Sequence, residues 1–208
     1  WAMDVFSSKE SRRETPAKRT TPLMTENLTV LAYHEVTPDE KSLIPEYSVT
    51  AQQFEAHLTW LQKNGYQFVN VDQVLQAEQG LKALPKKAVL MTFDDGYQSF
   101  YAHAYPILKK YKIPALLSVV GQWLEPNAEQ NVQFGDQQVK RQALLSWQEL
   151  KEMQDSGLIE IGSHSYNLHR GILGNPQGNL QPAATTRIYQ KETQQYESDS
   201  AYRNRIRQ

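Results

Sequence analysis

Residues 88–96 read Ala-Val-Leu-Met-Thr-Phe-Asp-Asp-Gly, and the fold class follows from this stretch. Ala88–Phe93 is a run of one strand's length, apolar but for Thr92, the pattern of a strand covered on both faces. Asp94 and Asp95 therefore emerge at its carboxyl end, the edge on which β/α proteins build their sites. Neighbouring strand residues point to opposite faces, so Gly96 is read as the residue that lets the chain turn and brings both carboxylates toward one cavity. Adjacent carboxylates repel, and one takes up a proton unless a cation neutralises the pair. Taken alone, the same residues are equally well a solvated Asp-Gly turn.

Working outward, four further apolar runs read as strands: Leu28–Tyr33, Gln67–Asn70, Ala115–Val120 and Leu158–Ile161. Helical spacing separates them. Ala51, Phe54, Leu58 and Leu61 form one stripe, ended by Asn64-Gly65, and Val71, Val74 and Leu75 a second. Phe100, Ala104, Ile107, Leu108 and Tyr111 form a third, and Trp147–Gln154 a fourth, in which Trp147 is expected to pack. Asp199–Gln208 reads as a last helix. Alternating strands and helices predict an α/β protein with a parallel sheet covered by helices. Gly121–Leu145 and Gly171–Thr186 read as long loops, a length usual for functional segments.

The chain of 208 residues holds one substantial core. Its net charge of -1 offers no bulk attraction for nucleic acid or an anionic membrane, and it has no cysteine, hence no thiolate ligand, cysteine nucleophile or disulfide. No apolar run approaches the ~20 residues of a membrane span. Residues 1–26, with Arg12, Arg13, Lys18 and Arg19 among Ser, Thr and Pro, read as a flexible leader or linker and not as a secretory signal.

His164 and His169 follow the strand ending near Ile161, again at a carboxyl edge. A spacing of five residues does not suit one helical face, so both are expected on a loop or a single distorted turn. With Asp95 they supply a two-His, one-carboxylate set with open positions, suited to one divalent zinc, iron, cobalt or nickel ion rather than to magnesium. His34, just past the strand Leu28–Tyr33, is a candidate general acid or fourth ligand, although position alone would favour a hydrogen-bonded structural histidine. His57 and His103 read as ordinary helix histidines.

Tyr33-His34-Glu35-Val36, Thr92–Ser99 (TFDDGYQS) and His164–His169 (HSYNLH), in this order, resemble the motifs of the polysaccharide deacetylases, carbohydrate esterase family 4, and most closely the deacetylase domains that act on poly-β-1,6-N-acetylglucosamine (PgaB type). The resemblance runs from about Leu28 to the end, which sets a domain at 27–208. It implies a distorted (β/α)7 barrel, incomplete at its C-terminal end in this chain. It also implies metal-dependent removal of N-acetyl groups from that polymer during biofilm exopolysaccharide export. By matching position, Asp95, His164 and His169 become metal ligands, Asp94 the general base and His34 the general acid. An arginine-containing motif that orients the base in other branches is not evident. Tyr97, Trp123 and Tyr166 lie nearest the motif loops and are read as sugar-stacking residues. Further implications are the polymer as partner, outer-membrane export machinery as a second one, no nucleic acid, and a periplasmic or cell-surface location. The alternative is a polysaccharide-binding module that retains the metal site with little turnover. A two-metal phosphoesterase would need a second Asp/His cluster, which the sequence lacks.

Overall fold

The computed structural model describes residues 28–38, 42–125, 130–134, 137–168 and 170–207; the leader expected at 1–26 lies outside them. In chain order the first half holds β1 (Leu28–Tyr33), β2 (Glu35–Thr37), β3 (Ser48–Thr50), α1 (Ala51–Lys63), β4 (Gln67–Phe68), α2 (Val71–Glu78), β5 (Ala88–Asp95) and α3 (Tyr105–Tyr111). Then come β6 (Ala115–Val120), β7 (Asn131–Phe134), β8 (Gln137–Lys140), α4 (Trp147–Asp155), β9 (Ile159–Ser165), β10 (Gly171–Leu173), β11 (Leu180–Pro182), β12 (Tyr189–Gln190), β13 (Gln195–Tyr196) and α5 (Asp199–Ile206).

The main sheet is parallel, in the order β1-β5-β6-β9, with β4 pairing the first residues of β5. This is the α/β architecture expected of alternating strands and helices. Met91, Phe93, Leu117 and Ile159 from the strands meet Phe54, Leu58, Leu108, Leu150 and Met153 from the helices in one core. Phe93 is fully buried and packs edge-on against Phe100 (4.6 Å between centroids) and Phe54 (5.6 Å) and stacks with Tyr33 (5.5 Å). Each such pair adds about 0.5–1.5 kcal/mol to plain burial. Phe93 precedes Asp94 directly, so the core anchors the chain at the point where the site begins.

Three helices start at capping boxes: Thr50 with Gln53, Asn70 with Gln73, and Ser146 with Glu149. In each, the cap side chain accepts from the third helical amide while the third side chain accepts from the cap amide, which satisfies two otherwise orphaned donors. The single helix read over Phe100–Tyr111 is instead a π-helical turn, Phe100–Ala104, leading into α3, with the Tyr105 amide donating to the Phe100 carbonyl. Pro106, at the start of α3, has no amide proton to donate.

The two long loops carry structure of their own. Gly121–Leu145 contains the antiparallel β7–β8 hairpin, whose Val132 and Val139 join Trp123, Tyr97, Val120 and Leu144 in a second apolar cluster. Gly171–Thr186 contains the β10–β11 hairpin. Trp147 does not pack as expected; it is 66% exposed at the first position of α4. Among the described residues, no helix is long and apolar enough to cross a membrane.

Candidate active site

β5 runs two residues past the apolar stretch and ends in the Asp pair. The reversal expected at Gly96 begins one residue earlier. Asp95 itself has φ 78, Gly96 has φ 99, and the Gly96 amide donates to the Asp94 carbonyl at 3.0 Å. A hydrogen bond spanning three residues with positive φ at its centre is a γ-turn of the rarer, more strained hand. Aspartate tolerates that region better than most side chains do, and such strain gathers at functional sites. Gly96 is required twice over, since a Cβ there would also lie 3.1 Å from Cγ1 of Val119.

The turn buries Asp95 to 2% exposure. Its Oδ2 accepts from the Tyr97 hydroxyl at 2.8 Å, and its Oδ1 lies 3.2 Å from Nε2 of His164. Burial pushes the Tyr97 phenol far above its ordinary range, and the charge and hydrogen bond of Asp95, then the charges of Glu35 and Asp94, push it further. Tyr97 is thus a neutral, fixed donor to the carboxylate.

His164 lies inside β9 and not on the loop expected after it. The β6–β9 ladder pairs Val119 with Ser163 but Val120 with Ser165, which makes His164 the extra residue of a bulge. Bulges beside active sites re-aim a side chain, and here the ring reaches across β6 to the end of β5. The third expected ligand, His169, lies outside the described residues; its neighbours in the chain, Leu168 and Arg170, both line the cavity containing Asp95 and His164. Among the described residues, no three His, Asp or Glu side chains come close enough together to hold an ion. The Asp95–His164 pair does fit one, because donors about 2.1 Å from a shared cation at ordinary coordination angles stand about 3.0–3.4 Å apart.

The cavity measures about 750 Å³ and is also lined by His34, Tyr47, Ile44, Phe134 and the β11 residues Leu180–Pro182. His34 stands between β1 and β2, on the same sheet edge as Asp95. Asp94 is half-buried and pairs with Ser118 in the β5–β6 ladder; of the two carboxylates, Asp95 is the one that lines the cavity.

The aromatics divide. Tyr97 is 1% exposed and packs against Phe134, and Trp123 is 4% exposed with its ring 5.2 Å from that of Phe134. Neither offers an open face on which a sugar could stack. Tyr166 is 39% exposed and donates to Glu125 at 2.7 Å. The aromatic that does stand open at the cavity is Tyr47, 64% exposed, its ring 5.5 Å from that of His34. Only its distance in sequence from the motifs hid it. Its loop is held by Glu35, buried to 5%, whose Oε2 accepts from the Ser42 hydroxyl and from the amides of Leu43 and Ile44.

A family model described as polysaccharide deacetylase matches residues 81–204, a span that includes the Asp pair, His164 and the cavity wall apart from His34, Ile44 and Tyr47. The chain belongs to the polysaccharide deacetylase family. Among family members, a poly-β-1,6-N-acetyl-D-glucosamine N-deacetylase from Escherichia coli K12 is 41% identical over 177 residues, 85% of this chain and 26% of that protein. The corresponding Staphylococcus aureus enzyme (strain MSSA476) is 33% identical over 145 residues, 70% of this chain and 46% of that protein. The chain thus spans about a quarter to a half of these relatives' lengths. Of solved deacetylase structures, a de-N-acetylase from Aggregatibacter actinomycetemcomitans superposes with a TM-score of 0.81 at 39% identity, covering 86% of this chain and 69% of that one. The BpsB deacetylase domain of Bordetella bronchiseptica gives 0.75 at 34% identity, covering 86% and 70%.

Proposed function

We propose that this polysaccharide deacetylase hydrolyses the N-acetyl amide of β-1,6-linked N-acetylglucosamine in a biofilm exopolysaccharide. The observation that carries the reading is the 3.2 Å approach of Asp95 Oδ1 to His164 Nε2 in a cavity shared with His34. Relatives named for this reaction support the choice of polymer.

In this reading Asp95, His164 and His169 hold one divalent ion of zinc, cobalt, nickel or iron. Such an ion lowers the pKa of water and polarises a carbonyl. Asp94 takes a proton from the attacking water as its oxygen bonds the acetyl carbon, a role typically worth ~10²–10⁴-fold in rate. The carbon–nitrogen bond then breaks, and protonated His34 delivers its proton to the amine, which is too basic to leave without one. Acetate and a glucosamine unit result. Tyr97 keeps Asp95 oriented, and Tyr47 offers its ring to a sugar face beside His34. The parallel sheet is read as an arc of a distorted (β/α)7 barrel, in keeping with the superposition on solved deacetylases. A periplasmic or cell-surface location, and contact with outer-membrane export machinery, belong to the same proposal.

The test is acetate release from β-1,6-N-acetylglucosamine oligomers by metal-stripped protein with zinc, cobalt, nickel or iron added back. Metal-dependent release is expected. Binding of the polymer by folded, metal-loaded protein without any release would overturn the hydrolytic reading in favour of a binding module.

A further inference from the structure

Arg141 is 6% exposed and sits in the turn between β8 and α4. Its Nη1 donates to the Leu144 carbonyl at 3.1 Å and its Nη2 to the Leu145 carbonyl at 2.7 Å. Both leucines are buried, and each is tied to the turn that carries the Asp pair. The Leu145 amide donates to the Gly96 carbonyl at 3.0 Å, and Leu144 forms an isolated antiparallel bridge with Tyr97. Gly96 follows Asp95 directly, and Tyr97 donates to the Asp95 carboxylate. Two short paths therefore run from one guanidinium to the same side chain, one through the backbone of Gly96 and one through the phenol of Tyr97.

We infer that Arg141 is a positioning residue for the site, a strut that holds the Asp94–Asp95 turn in its strained form by clamping Leu144 and Leu145 against Gly96 and Tyr97. The inference rests on the reading of Asp95 and His164 as metal ligands. Stability by itself is a poor reason for a guanidinium here. Burial pulls its pKa down, with only the more distant Glu149 charge opposing, and its Nε is buried without a hydrogen-bond partner. A buried cation so incompletely satisfied is commonly replaceable by an apolar side chain with no loss of stability. What the apolar side chain lacks is the planar fork that reaches two carbonyls at once. A turn with positive φ at Asp95 needs such outside support, because relaxed backbone would leave that region.

The test compares zinc affinity, read by competition with a chromophoric chelator, in the wild type, Arg141→Met, Arg141→Lys and the control Val69→Ala. Arg141→Met is expected to bind zinc at least about tenfold more weakly, as supporting partners of metal ligands do when lost, with Arg141→Lys in between. Val69→Ala, which loosens the separate apolar cluster of Val69, Ala88 and Leu90 at the other end of β5, should melt earlier yet keep its affinity. Folded Arg141→Met binding zinc within about twofold of the wild type would overturn the inference. If Arg141→Met does not fold, Arg141→Lys decides by the same criterion. A wild type that binds no zinc, cobalt or nickel would overturn the ligand reading itself, and the strut with it, whereas equal affinities in wild type and variant would overturn the strut alone.

Discussion

The Tyr97 hydroxyl donates to Oδ2 of Asp95 across 2.8 Å, so the other oxygen of that carboxylate is the one beside His164. A free carboxylate could rotate and present either oxygen. Replacing Tyr97 with Phe should keep the fold, since the buried ring remains, at a cost of about 1.5–3 kcal/mol for a hydrogen bond to a buried, charged carboxylate. Metal affinity should fall roughly tenfold. Isothermal titration of the metal, with a melting curve on the same sample, separates the two effects; unchanged affinity would show that Asp95 needs no external orientation.

The two carboxylates of the pair should fail differently. Asp95→Ala and His164→Ala are expected to lose bound metal and acetate release together. Asp94→Asn, half-buried one residue back on the strand, should keep the metal and lose about 10²–10⁴-fold in kcat. Metal content measured beside turnover decides the matter, and a fully active Asp94→Asn variant removes Asp94 from the mechanism.

Tyr47 is an open aromatic ring beside His34. Aromatic stacking contributes about 0.5–1.5 kcal/mol, so Tyr47→Ala should raise KM for oligomers roughly two- to tenfold with little change in kcat. Tyr47→Phe should restore it. Steady-state kinetics on both variants would refute the stacking role if Phe behaved like Ala.

The wall of the cavity near Pro182 and Ala184 is tied down by Arg205, which donates to the Ala183 and Thr186 carbonyls and pairs with Glu197 at 2.5 Å. The Arg205 hydrogen bond, then the Ile188 amide and the nearby guanidinium charges, hold the Glu197 carboxyl below its ordinary value of 4.5 against the opposing effect of burial. A lowered folded-state pKa means that this stabilisation is complete above the ordinary value and is lost as pH falls through the lower, folded one. Acidification below about pH 4.5 should therefore loosen the β12–β13 segment, and Glu197→Gln should loosen it already at neutral pH, at a cost of roughly 3 kcal/mol. Amide exchange of Ile188 and Glu197 reports it; exchange in Glu197→Gln as slow as in the wild type would show that Arg205 holds the wall without its carboxylate.

The sequence by itself determined the parallel α/β architecture, because Ala88–Phe93 is apolar but for Thr92 and the helical stripes between strands repeat at the helical period. It also placed Asp94, Asp95, His34 and His164 on one edge, since each follows a short run that reads as a strand by length and composition. Tertiary structure decided the rest. That His164 is the bulged residue of β9 depends on how β9 registers against β6, and register is a property of two strands and not of one. The burial of Tyr97 and Trp123, expected at a sugar face, depends on the β7–β8 hairpin folding over them, and that hairpin's alternation is too short to read in a single chain segment. The roles of Arg141 and Glu35 were invisible for a related reason: apart from the Ser42 hydroxyl on Glu35, their partners are main-chain groups, which no side-chain pattern reveals.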